Sequence, residues 1–551
     1  MKKVLYIFLF LLNIMSLSSC YDDTSRLATK VIDDVKIDTT GIGKNLYVGY
    51  QEELDLAPII SQKANKLDGL KYEWALTELP TTSNTEYETI STDKELHKKI
   101  SRSIASTPYT LKLTVTDMNN GNLQYINSWK LYVQSSFVDG LLISDTKDGT
   151  TSDLSFIKNK NITLNYNREE KIYRDILNNA NGKPYEGLMT SLTYEVQGYT
   201  TYETTHLNQV WALTKSGDCV RFNCEDFSIN GNSNSESLIA YKPAGLKFLK
   251  LFKGYQDFFA YTTKGIYSFL MANDNRFGWY DTNVVSYTIN NNIVAANSSS
   301  SISDNHSAWL DKNKGQFVYY SGWPSSGRCS TYEANSVFDP NDMSNQSAIA
   351  AIMSEDGTLA SFLLEDDGTS QYAIYTLSSY VSTIDHYDDQ GNYVDTTPEQ
   401  PGSAKSKFVI SSDGKALLDK AVSVFFAQKE YVLYVATADG LYAITYGSGS
   451  TASVSTVAKF TPTTGEKITL AKLYQQGQYT NDIAAISGSD SYLKPLPWNN
   501  KAIVIATQKS EYEGKVYVIP LSQPGIGTLD TTNALTYDGF GKILDVTTIG
   551  Y

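Results

Sequence analysis

The sequence predicts an all-β protein in which an immunoglobulin-like β-sandwich is followed by a β-propeller. Three observations lead to this fold class. Runs of alternating apolar and polar residues fill residues 36–136, which is typical of half-buried strands. A strand–turn–strand pattern then recurs through residues 137–551, and no long amphipathic helix interrupts it. A chain of 551 residues also exceeds one hydrophobic core, so two or more domains are expected.

The N-terminus has the pattern of an export signal. Lys2 and Lys3 precede the apolar run Val4–Met15, and small residues lead to Cys20. This order predicts a cleaved signal over residues 1–19. The sequence "LSSC" resembles a bacterial lipobox, which implies acylation of Cys20 and a flexible tether over residues 20–35. A plain signal peptide with a chance cysteine is the alternative. Two or three acyl chains would anchor the protein without spanning the membrane.

The predicted sandwich occupies residues 36–136. In "TLKLTVTD" the residues Leu111, Leu113 and Val115 share one face, as in a strand with one buried side. The turn residues 119–122 join this strand to the next one. Trp74 is predicted to be the core tryptophan. Residues 91–104 are compatible with a short helix or an irregular crossover.

The predicted propeller occupies residues 137–551. Its hairpins are expected around glycines in short polar turns, and these are Gly217, Gly265, Gly357, Gly414, Gly440 and Gly514. Four-stranded blades of about 40 to 50 residues favour seven blades, with eight as the alternative. Residues 141–157 and 541–551 are expected to share a closing blade, which would remove an exposed sheet edge.

Motifs for enzymatic chemistry are missing from the sequence, which contains neither a nucleophile elbow nor a zinc-protease, Walker or dinucleotide-binding signature. We therefore expect a protein that is not an enzyme. A propeller glycosidase stays open, because it needs only carboxylates placed by geometry. Acidic pairs such as Glu355-Asp356 and Asp366-Asp367 are expected to form turns. A formal net charge of −14 argues against nucleic-acid binding, since phosphate would be repelled.

No cofactor is expected. The sequence "DHYDDQGNYVDTT" at residues 385–397 looks like a calcium loop, but His386 and Thr397 would replace carboxylates at its two ends. A hairpin with a surface histidine is the preferred interpretation, and structural calcium stays open. Cys219 and Cys224 leave three alternatives open, namely a disulfide, a zinc site or two buried thiols.

The aromatic composition suggests recognition, because the chain contains 40 tyrosines and seven tryptophans. Rigid rings in loops make good capture surfaces. Trp129 and Trp211 lie within strand patterns and are assigned to the core. The ligand-binding candidates lie in loops rich in Gly, Pro and Asn, where the alternative is a packed loop anchor; they are Trp279, Tyr280, Trp323, Tyr492 and Trp498.

Four stretches of the N-terminal half resemble one family. The stretches "YEWAL" (72–76), "LKLTVTD" (111–117), "SWKLYVQ" (128–134) and "DGLLISD" (139–145), together with the lipobox, resemble PKD-like lipoproteins that accompany SusC/SusD-type nutrient importers. The resemblance implies a PKD-like sandwich and a lipid anchor in the outer membrane. It also implies an importer complex as partner, with an oligopeptide or oligosaccharide as the captured ligand. Asp22 and Asp23, which follow Cys20 after Tyr21, fit the export to the outer face that the resemblance implies. A surface glycoside hydrolase and an adhesive lipoprotein are the alternatives.

Overall fold

The structure is a computed structural model that describes most of the chain after residue 31. The described residues are 32–50, 52–63, 67–80, 86–105, 107–137, 139–163, 166, 169–196, 208–224, 226–229, 234–239, 243–253, 258–268, 277–279, 294–297, 307–321, 328–354, 356–388, 390–475, 498–523 and 525–550. The chain divides into two compact units, Met1–Gln134 and Ser135–Tyr551. Cys20, and with it the predicted signal and most of the tether, lies outside the described residues.

The first unit is a β-sandwich. Its strands are β1 (Lys36–Asp38), β2 (Asn45–Gly49), β3 (Glu53–Leu56), β4 (Ile59–Ser61), β5 (Leu70–Thr77), β6 (Tyr87–Ser91), β7 (Leu96–Lys99), β8 (Tyr109–Asp117) and β9 (Leu123–Gln134). Five of them form a sheet in the order β2-β9-β8-β5-β6, in which β2 and β9 are parallel. β1 pairs with β4, and β3 pairs with β7. Short 3₁₀ turns occupy Leu67–Gly69 and Met118–Asn120.

The core of the sandwich confirms the alternation seen in the sequence. Leu111, Leu113 and Val115 of β8 have no solvent exposure, and neither has Trp74. The ring of Trp74 stacks on Trp129 with 5.7 Å between the ring centroids. The indole Nε1 of Trp74 donates to the backbone oxygen of Asp93 at 3.1 Å, so its one polar atom is satisfied. The helix considered for residues 91–104 is not formed, because this segment is an irregular crossover that contains β7.

The second unit consists of short antiparallel strands. They are β10 (Gly140–Thr146), β11 (Thr151–Lys158), β12 (Lys171–Tyr173), β13 (Tyr185–Glu186), β14 (Met189–Val196), β15 (Asn208–Thr214), β16 (Cys219–Asn223), β17 (Phe248–Lys253), β18 (Phe258–Thr262), β19 (Gly265–Ser268), β20 (Gly278–Trp279), β21 (Ala295–Asn297), β22 (Ser307–Asp311), β23 (Gln316–Ser321), β24 (Arg328–Thr331), β25 (Gln346–Met353), β26 (Leu359–Asp366), β27 (Tyr372–Ser378), β28 (Ile384–Tyr387), β29 (Tyr393–Thr397), β30 (Ser403–Ile410), β31 (Ala421–Phe426), β32 (Val432–Thr437), β33 (Gly440–Thr445), β34 (Thr451–Val454), β35 (Lys467–Leu473), β36 (Ala502–Ser510), β37 (Glu513–Gln523), β38 (Thr528–Leu529), β39 (Leu535–Phe540) and β40 (Lys542–Ile549). Two short helices, α1 (Ile176–Asn181) and α2 (Ser412–Leu418), and a 3₁₀ turn at Thr531–Asn533 lie between them.

These strands form a propeller, which in the described part of the chain has seven blades. Blades one to six begin with β14, β17, β21, β25, β31 and β35, and each continues outward in chain order. Blade seven has the order β40-β10-β11-β12. The first strands of the blades are neighbours, in the order β17, β14, β40, β35, β31, β25 and β21. They are therefore the inner strands, which surround a central channel.

The core of the propeller lies between its blades. Buried clusters fill the spaces between blades seven and one, six and seven, one and two, three and four, four and five, and five and six. Each cluster combines side chains from two consecutive sheets, which is how blades stack around an axis. Blades four and five are also joined at their outer edge, where β30 and β34 pair in parallel.

The closing blade confirms the pairing predicted from the two ends of the propeller sequence. β10 pairs with β40 from Gly140↔Ile549 to Thr146↔Lys542, and β10 also pairs with β11. Asp145 accepts a hydrogen bond from the backbone nitrogen of Gly541 at 2.6 Å. The ring is thus closed by strands that are about four hundred residues apart in the sequence.

The glycine turns follow the prediction in part. Gly217, Gly265 and Gly357 have φ values of 88°, 127° and 73°, as tight hairpins require. Gly440 begins β33 and Gly514 lies within β37, and neither has the positive φ of a tight-turn glycine. A side chain at Gly514 would lie 2.2 Å from the backbone oxygen of Gly541, so this glycine permits close strand packing.

The hairpin predicted around Gly414 is wrong, because this segment forms α2. Ser411 precedes the helix, and its Oγ accepts from the backbone nitrogen of Gly414 at 3.4 Å. Asp413 lies in the first turn, and Lys415 pairs with Asp419 at 2.8 Å. The sequence Ser-Ser-Asp-Gly suits a turn and a helix N-terminus equally well. The helix therefore prevailed through its cap and through the burial of Leu418.

Candidate functional site

A ring of β-bulges marks one end of the central channel. In six of the seven inner strands, the described register slips at one residue near the start of the strand. The extra residues are Thr190, Leu249, Ile349, Val422, Thr469 and Leu544. Their side chains are exposed or half-buried, although each inner strand packs between two blades. These six residues, the bulge ring, therefore line the channel where the inner strands begin.

The residue after the bulge links neighbouring blades. Asp545 in blade seven accepts a hydrogen bond from the backbone nitrogen of Leu192 in blade one at 2.7 Å. Ser423 in blade five accepts in the same way from Ala471 in blade six, at 3.0 Å. The inner strand is a sheet edge, so its outward N–H groups need partners. The two bonds show that equivalent positions perform the same structural task.

Asp545 also holds a charged partner in the channel. Its Oδ1 forms a short ion pair with the ammonium group of Lys472 on β35. The same ammonium group donates to the backbone oxygen of Val546 at 3.3 Å. Asp545 is 2% exposed, so both of its carboxylate oxygens are satisfied inside the protein, one by a backbone N–H and one by a lysine. The hydrogen bond and the ion pair together compensate the loss of water around this buried carboxylate.

A second feature projects from blade four. β28 and β29 form a hairpin between the third and fourth strands of that blade, and all but Thr397 of their nine residues are exposed. Tyr387 and Tyr393 are 60% and 59% exposed, and their ring centroids lie 6.2 Å apart in an edge-to-face arrangement. Val394 is 59% exposed beside them. We call Ile384–Thr397 the tyrosine hairpin.

Side-chain hydrogen bonds give the tyrosine hairpin its shape. The hydroxyl groups of Tyr393 and Thr396 are 2.7 Å apart, and Thr396 donates to Asp385 at 2.6 Å. At the turn, Asp388 accepts from the backbone nitrogens of Gln390 and Asn392. The bond from Asn392 is the main reason why the pKa of Asp388 lies below its usual value. The turn aspartate therefore stays ionised at neutral pH.

The structure also answers how residues 385–397, the segment that resembles a calcium loop, are folded. The preferred interpretation, a hairpin with a surface histidine, is confirmed, because His386 is exposed and its Nε2 lies 2.8 Å from the hydroxyl of Thr397. Gly391 has a φ of 81° at the turn. Nowhere in the described part of the chain do three His, Cys, Asp or Glu side chains come close enough to hold a metal ion.

Most of the predicted ligand-binding aromatics lie outside the described residues. This applies to Tyr280, Trp323 and Tyr492, and to the side chain of Trp279, whose backbone belongs to β20. Trp498 is half-buried and packs against the cluster between blades six and seven. Their roles in binding stay predictions. Trp129 and Trp211 are confirmed as core residues, with exposures of 4% and 1%.

The turn acids and the cysteines have structural roles. Asp356 accepts from Ser354 and Thr358, and Asp366 accepts from Gly368 and Thr369, as expected of turn formers. No disulfide joins Cys219 and Cys224 within the described residues. Both are buried, Cys219 between blades one and two and Cys224 between blades seven and one. Burial raises the pKa of the Cys219 thiol well above its usual value, which leaves it unreactive.

Sequence reasoning did not select the tyrosine hairpin or the channel residues as sites. Each of them nevertheless has a feature in the sequence that could have indicated it. Lys472 and Asp545 are charged residues inside the apolar strands "ITLAKL" and "KILDVTTI". The strand "YVDTT" lacks a sustained apolar face, which indicates that neither side is packed.

One known protein family matches a part of the chain that includes residues of both units. Residues 20–188 match the PKD-like family. This match includes the sandwich and extends into the first strands of the propeller. No curated protein matches the sequence. Within the described residues, no helix has both the length and the hydropathy needed to cross a membrane.

Several solved structures show weak similarity. Hsv2 from Kluyveromyces marxianus is 9% identical, with a TM-score of 0.33 and coverage of 72% of this chain and 93% of that chain. The β-propeller domain of Myceliophthora thermophila Cps50 (Swd1) is 8% identical, with a TM-score of 0.29 and coverage of 64% and 88%. A structural genomics protein of unknown function from Bacteroides thetaiotaomicron is 10% identical, with a TM-score of 0.26 and coverage of 72% and 81%. At such scores, the assignment of the propeller rests on its strand order.

Proposed function

We propose that this protein is a lipid-anchored surface protein of the outer membrane that captures an oligomeric nutrient, peptide or glycan, without transforming it. It would act as an accessory to a SusC/SusD-type TonB-dependent importer. The lipobox-like sequence before Cys20 supports the anchor, and the PKD-like match over residues 20–188 supports the surface role. The observation that carries the capture function is the exposed pair of tyrosines in the tyrosine hairpin.

The side chains of the tyrosine hairpin are better suited to binding a ligand than to stabilising the fold. A two-stranded hairpin without a packed face is marginally stable in water, and this one buries almost none of its side chains. Its hydrogen bonds nevertheless hold two aromatic rings in a fixed arrangement. Rigid rings bind sugar faces or peptide side chains at a low cost in conformational entropy. The neighbouring carboxylates of Asp385 and Asp395 can accept hydrogen bonds from hydroxyl or amide groups.

Binding assays with oligopeptide and oligosaccharide panels test the capture function. The double variant Tyr387→Ala/Tyr393→Ala should weaken binding at least about tenfold, since each aromatic contact contributes about 1 to 3 kcal/mol. Tyr512→Ala is the matched control, because Tyr512 is 37% exposed on a turn of blade six and should leave binding unchanged.

Three results would contradict parts of this proposal. Product formation in the same samples would show an enzyme of the propeller-glycosidase type, although it would leave the binding surface in place. Equal weakening by Tyr512→Ala would remove the tyrosine hairpin from the site. If the wild-type protein bound no oligomer, capture would be rejected in favour of an adhesive lipoprotein that contacts a partner protein.

Membrane fractionation tests the anchor. Cys20→Ala should move the protein from the membrane to the soluble fraction, because it removes the acylated thiol. Cys329→Ala removes another cysteine and should leave the protein anchored. A Cys20→Ala protein that stayed in the membrane would contradict lipidation. Co-purification with an importer pair encoded beside the gene would test the partner independently of the anchor.

A further inference from the structure

The tyrosine hairpin has strand edges that are open to a further strand. In the described part of the chain, β28 and β29 form a sheet of these two strands alone. Each strand therefore has an outer edge whose backbone N–H and C=O groups face away from the hairpin. An extended peptide can add to such an edge, where main-chain hydrogen bonds give affinity and alternate side chains give specificity. The edge favours a peptide over a glycan, because a peptide backbone matches the spacing of the strand.

One side of the tyrosine hairpin carries both rings and a carboxylate. In the strand register, Asp385 is opposite Thr396. Tyr387 follows Asp385 by two residues and is opposite Tyr393, so the four side chains share one side of the hairpin. We call them the tyrosine face. Thr396 donates to Oδ1 of Asp385 at 2.6 Å, and the described residues leave Oδ2 of this exposed carboxylate open to a ligand.

Two other tyrosine rings of blade four are covered by lysines of this chain. The ammonium group of Lys407 lies 5.1 Å from the ring centroid of Tyr375, and that of Lys415 lies 5.3 Å from the ring centroid of Tyr372. Such contacts are attractive, because the centre of an aromatic ring carries partial negative charge. The tyrosine hairpin contains neither lysine nor arginine, and its two rings are largely exposed. They are therefore accessible to a cation that a ligand supplies.

The tyrosine hairpin belongs to a strongly acidic segment. Residues 329–404 contain 13 of the 60 acidic residues of the chain and none of its 46 lysines and arginines. The other 475 residues contain 47 acidic and 46 basic residues, so this segment carries almost the whole net charge of −14. It contains β25, β26, β27 and the tyrosine hairpin. A concentration of negative charge attracts cationic ligands and repels anionic ones.

We propose that the tyrosine hairpin binds an extended peptide that carries lysine or arginine side chains. The inference rests on the proposed capture function and narrows the captured oligomer to a basic peptide. The peptide pairs as an added strand along β28 or β29. Its alternate cationic side chains lie on the tyrosine face, where the rings of Tyr387 and Tyr393 and the carboxylate of Asp385 contact them. The charge of this ligand complements that of the acidic segment.

Calorimetry with three hexapeptides tests the charge preference. The peptides have blocked ends and alternate alanine with lysine, with glutamine or with glutamate, so that in an extended peptide the variable side chains share one side. The lysine peptide should bind at least about tenfold more tightly than the glutamine peptide, and the glutamate peptide should bind most weakly. The preference should shrink as the salt concentration rises from about 0.05 M to about 0.5 M, because salt screens exposed charges.

Two variants assign the preference to the tyrosine face. Asp385→Asn removes one negative charge but keeps an oxygen that can accept from Thr396. It should reduce the ratio of lysine-peptide to glutamine-peptide affinity at least about threefold. Asp439→Asn is the matched control, because Asp439 is exposed at the turn between β32 and β33 and its replacement changes the net charge equally. This variant should keep the ratio, and both variants should melt at the temperature of the wild type.

Backbone methylation tests the added strand. Successive N–H groups of an extended peptide point to opposite edges, so only one alternate set can pair with the hairpin. Two lysine peptides are compared, one with N-methyl groups on its alanines and one with N-methyl groups on its lysines. One of them should lose binding and the other should keep it. Equal affinities of the two methylated peptides would overturn the strand addition.

The outcomes separate this inference from the capture function. Equal binding of the lysine and glutamine peptides would overturn the basic ligand while capture stood. Equal loss of the preference in Asp385→Asn and Asp439→Asn would overturn its assignment to the tyrosine face. A chitosan oligomer that bound as tightly as the lysine peptide would overturn the choice of a peptide. If the hexapeptides did not bind but a neutral oligosaccharide did, the inference would be rejected and capture would stand.

Discussion

Two hairpins of the same propeller have opposite environments. β32 and β33 are buried along almost their whole length, whereas β28 and β29 of the tyrosine hairpin are exposed on both faces. Both are antiparallel pairs with a short turn. The buried hairpin reads "VLYVAT" and "GLYAIT", and the exposed one reads "IDHY" and "YVDTT". The same backbone ladder therefore serves the core in one blade and a surface in another.

The largest expected effect concerns the buried hairpin. Leu433→Ala should lower the free energy of unfolding by about 2 to 5 kcal/mol, because it leaves a cavity where a leucine has no solvent exposure. Denaturant titration, followed by a spectroscopic signal that reports on the unfolding of the propeller, measures this loss. Val394→Ala in the tyrosine hairpin is the control and should change the same quantity by less than about 0.5 kcal/mol. Similar losses in both variants would show that the exposed hairpin is packed in solution.

A buried ionisable group, compared with an exposed one, should give an effect of intermediate size on the free energy of unfolding. Glu466 is buried beside blade six and accepts from Lys515 at 2.6 Å, Tyr517 at 2.9 Å and Thr507 at 3.0 Å. Glu466→Gln should cost about 1 to 3 kcal/mol of unfolding free energy. Asp395→Asn, in the exposed hairpin, should cost almost nothing.

The pH dependence of Glu466 follows from its pKa. Burial alone would raise the pKa of Glu466, but the three hydrogen bonds outweigh burial and lower it. A carboxyl group whose pKa is lower in the folded state stabilises the protein above its unfolded pKa of about 4.5, and that contribution is lost as the pH falls through the folded pKa. The stability difference between wild type and Glu466→Gln should therefore shrink in acid. A constant difference from pH 7 to pH 3 would contradict this.

The smallest expected effect belongs to the tyrosine hairpin. Tyr387→Ala/Tyr393→Ala should change the unfolding free energy by less than about 0.5 kcal/mol, since both rings are largely exposed. This makes the double variant a fair test of binding, because folding stays intact. A clear fall in melting temperature would instead assign the tyrosines a structural role.

The sequence predicted the features that depend on alternation and local turn chemistry. The sandwich strand at Leu111–Val115, the core position of Trp74 and the blade shared by β10 and β40 all follow from apolar periodicity. The segment around Gly414 could not be decided in this way, because Ser-Asp-Gly is compatible with both a turn and a capped helix. The cap formed by Ser411 and the packing of Leu418 between blades four and five distinguish the two.

The sites were harder to predict than the fold because they depend on long-range placement. Lys472 and Asp545 come together only because the inner strands form a ring. The bulges that place their side chains lack a common residue type, since they occur at threonine, leucine, isoleucine and valine. The tyrosine hairpin was visible in the sequence, but its exposure depends on the absence of a further strand beside β28 and β29 among the described residues. Such an absence is not encoded locally.

The pairing of β10 with β40 has a consequence for the order of folding. Contacts of this range make folding slow, because a chain loop of about four hundred residues must close. By loop-closure entropy this costs on the order of 3 kcal/mol more than closing a 14-residue hairpin. The other blades are made of strands that are near one another in the sequence and can form first. Blade seven is therefore expected to assemble last, so its strands should exchange amide hydrogens before those of blade five.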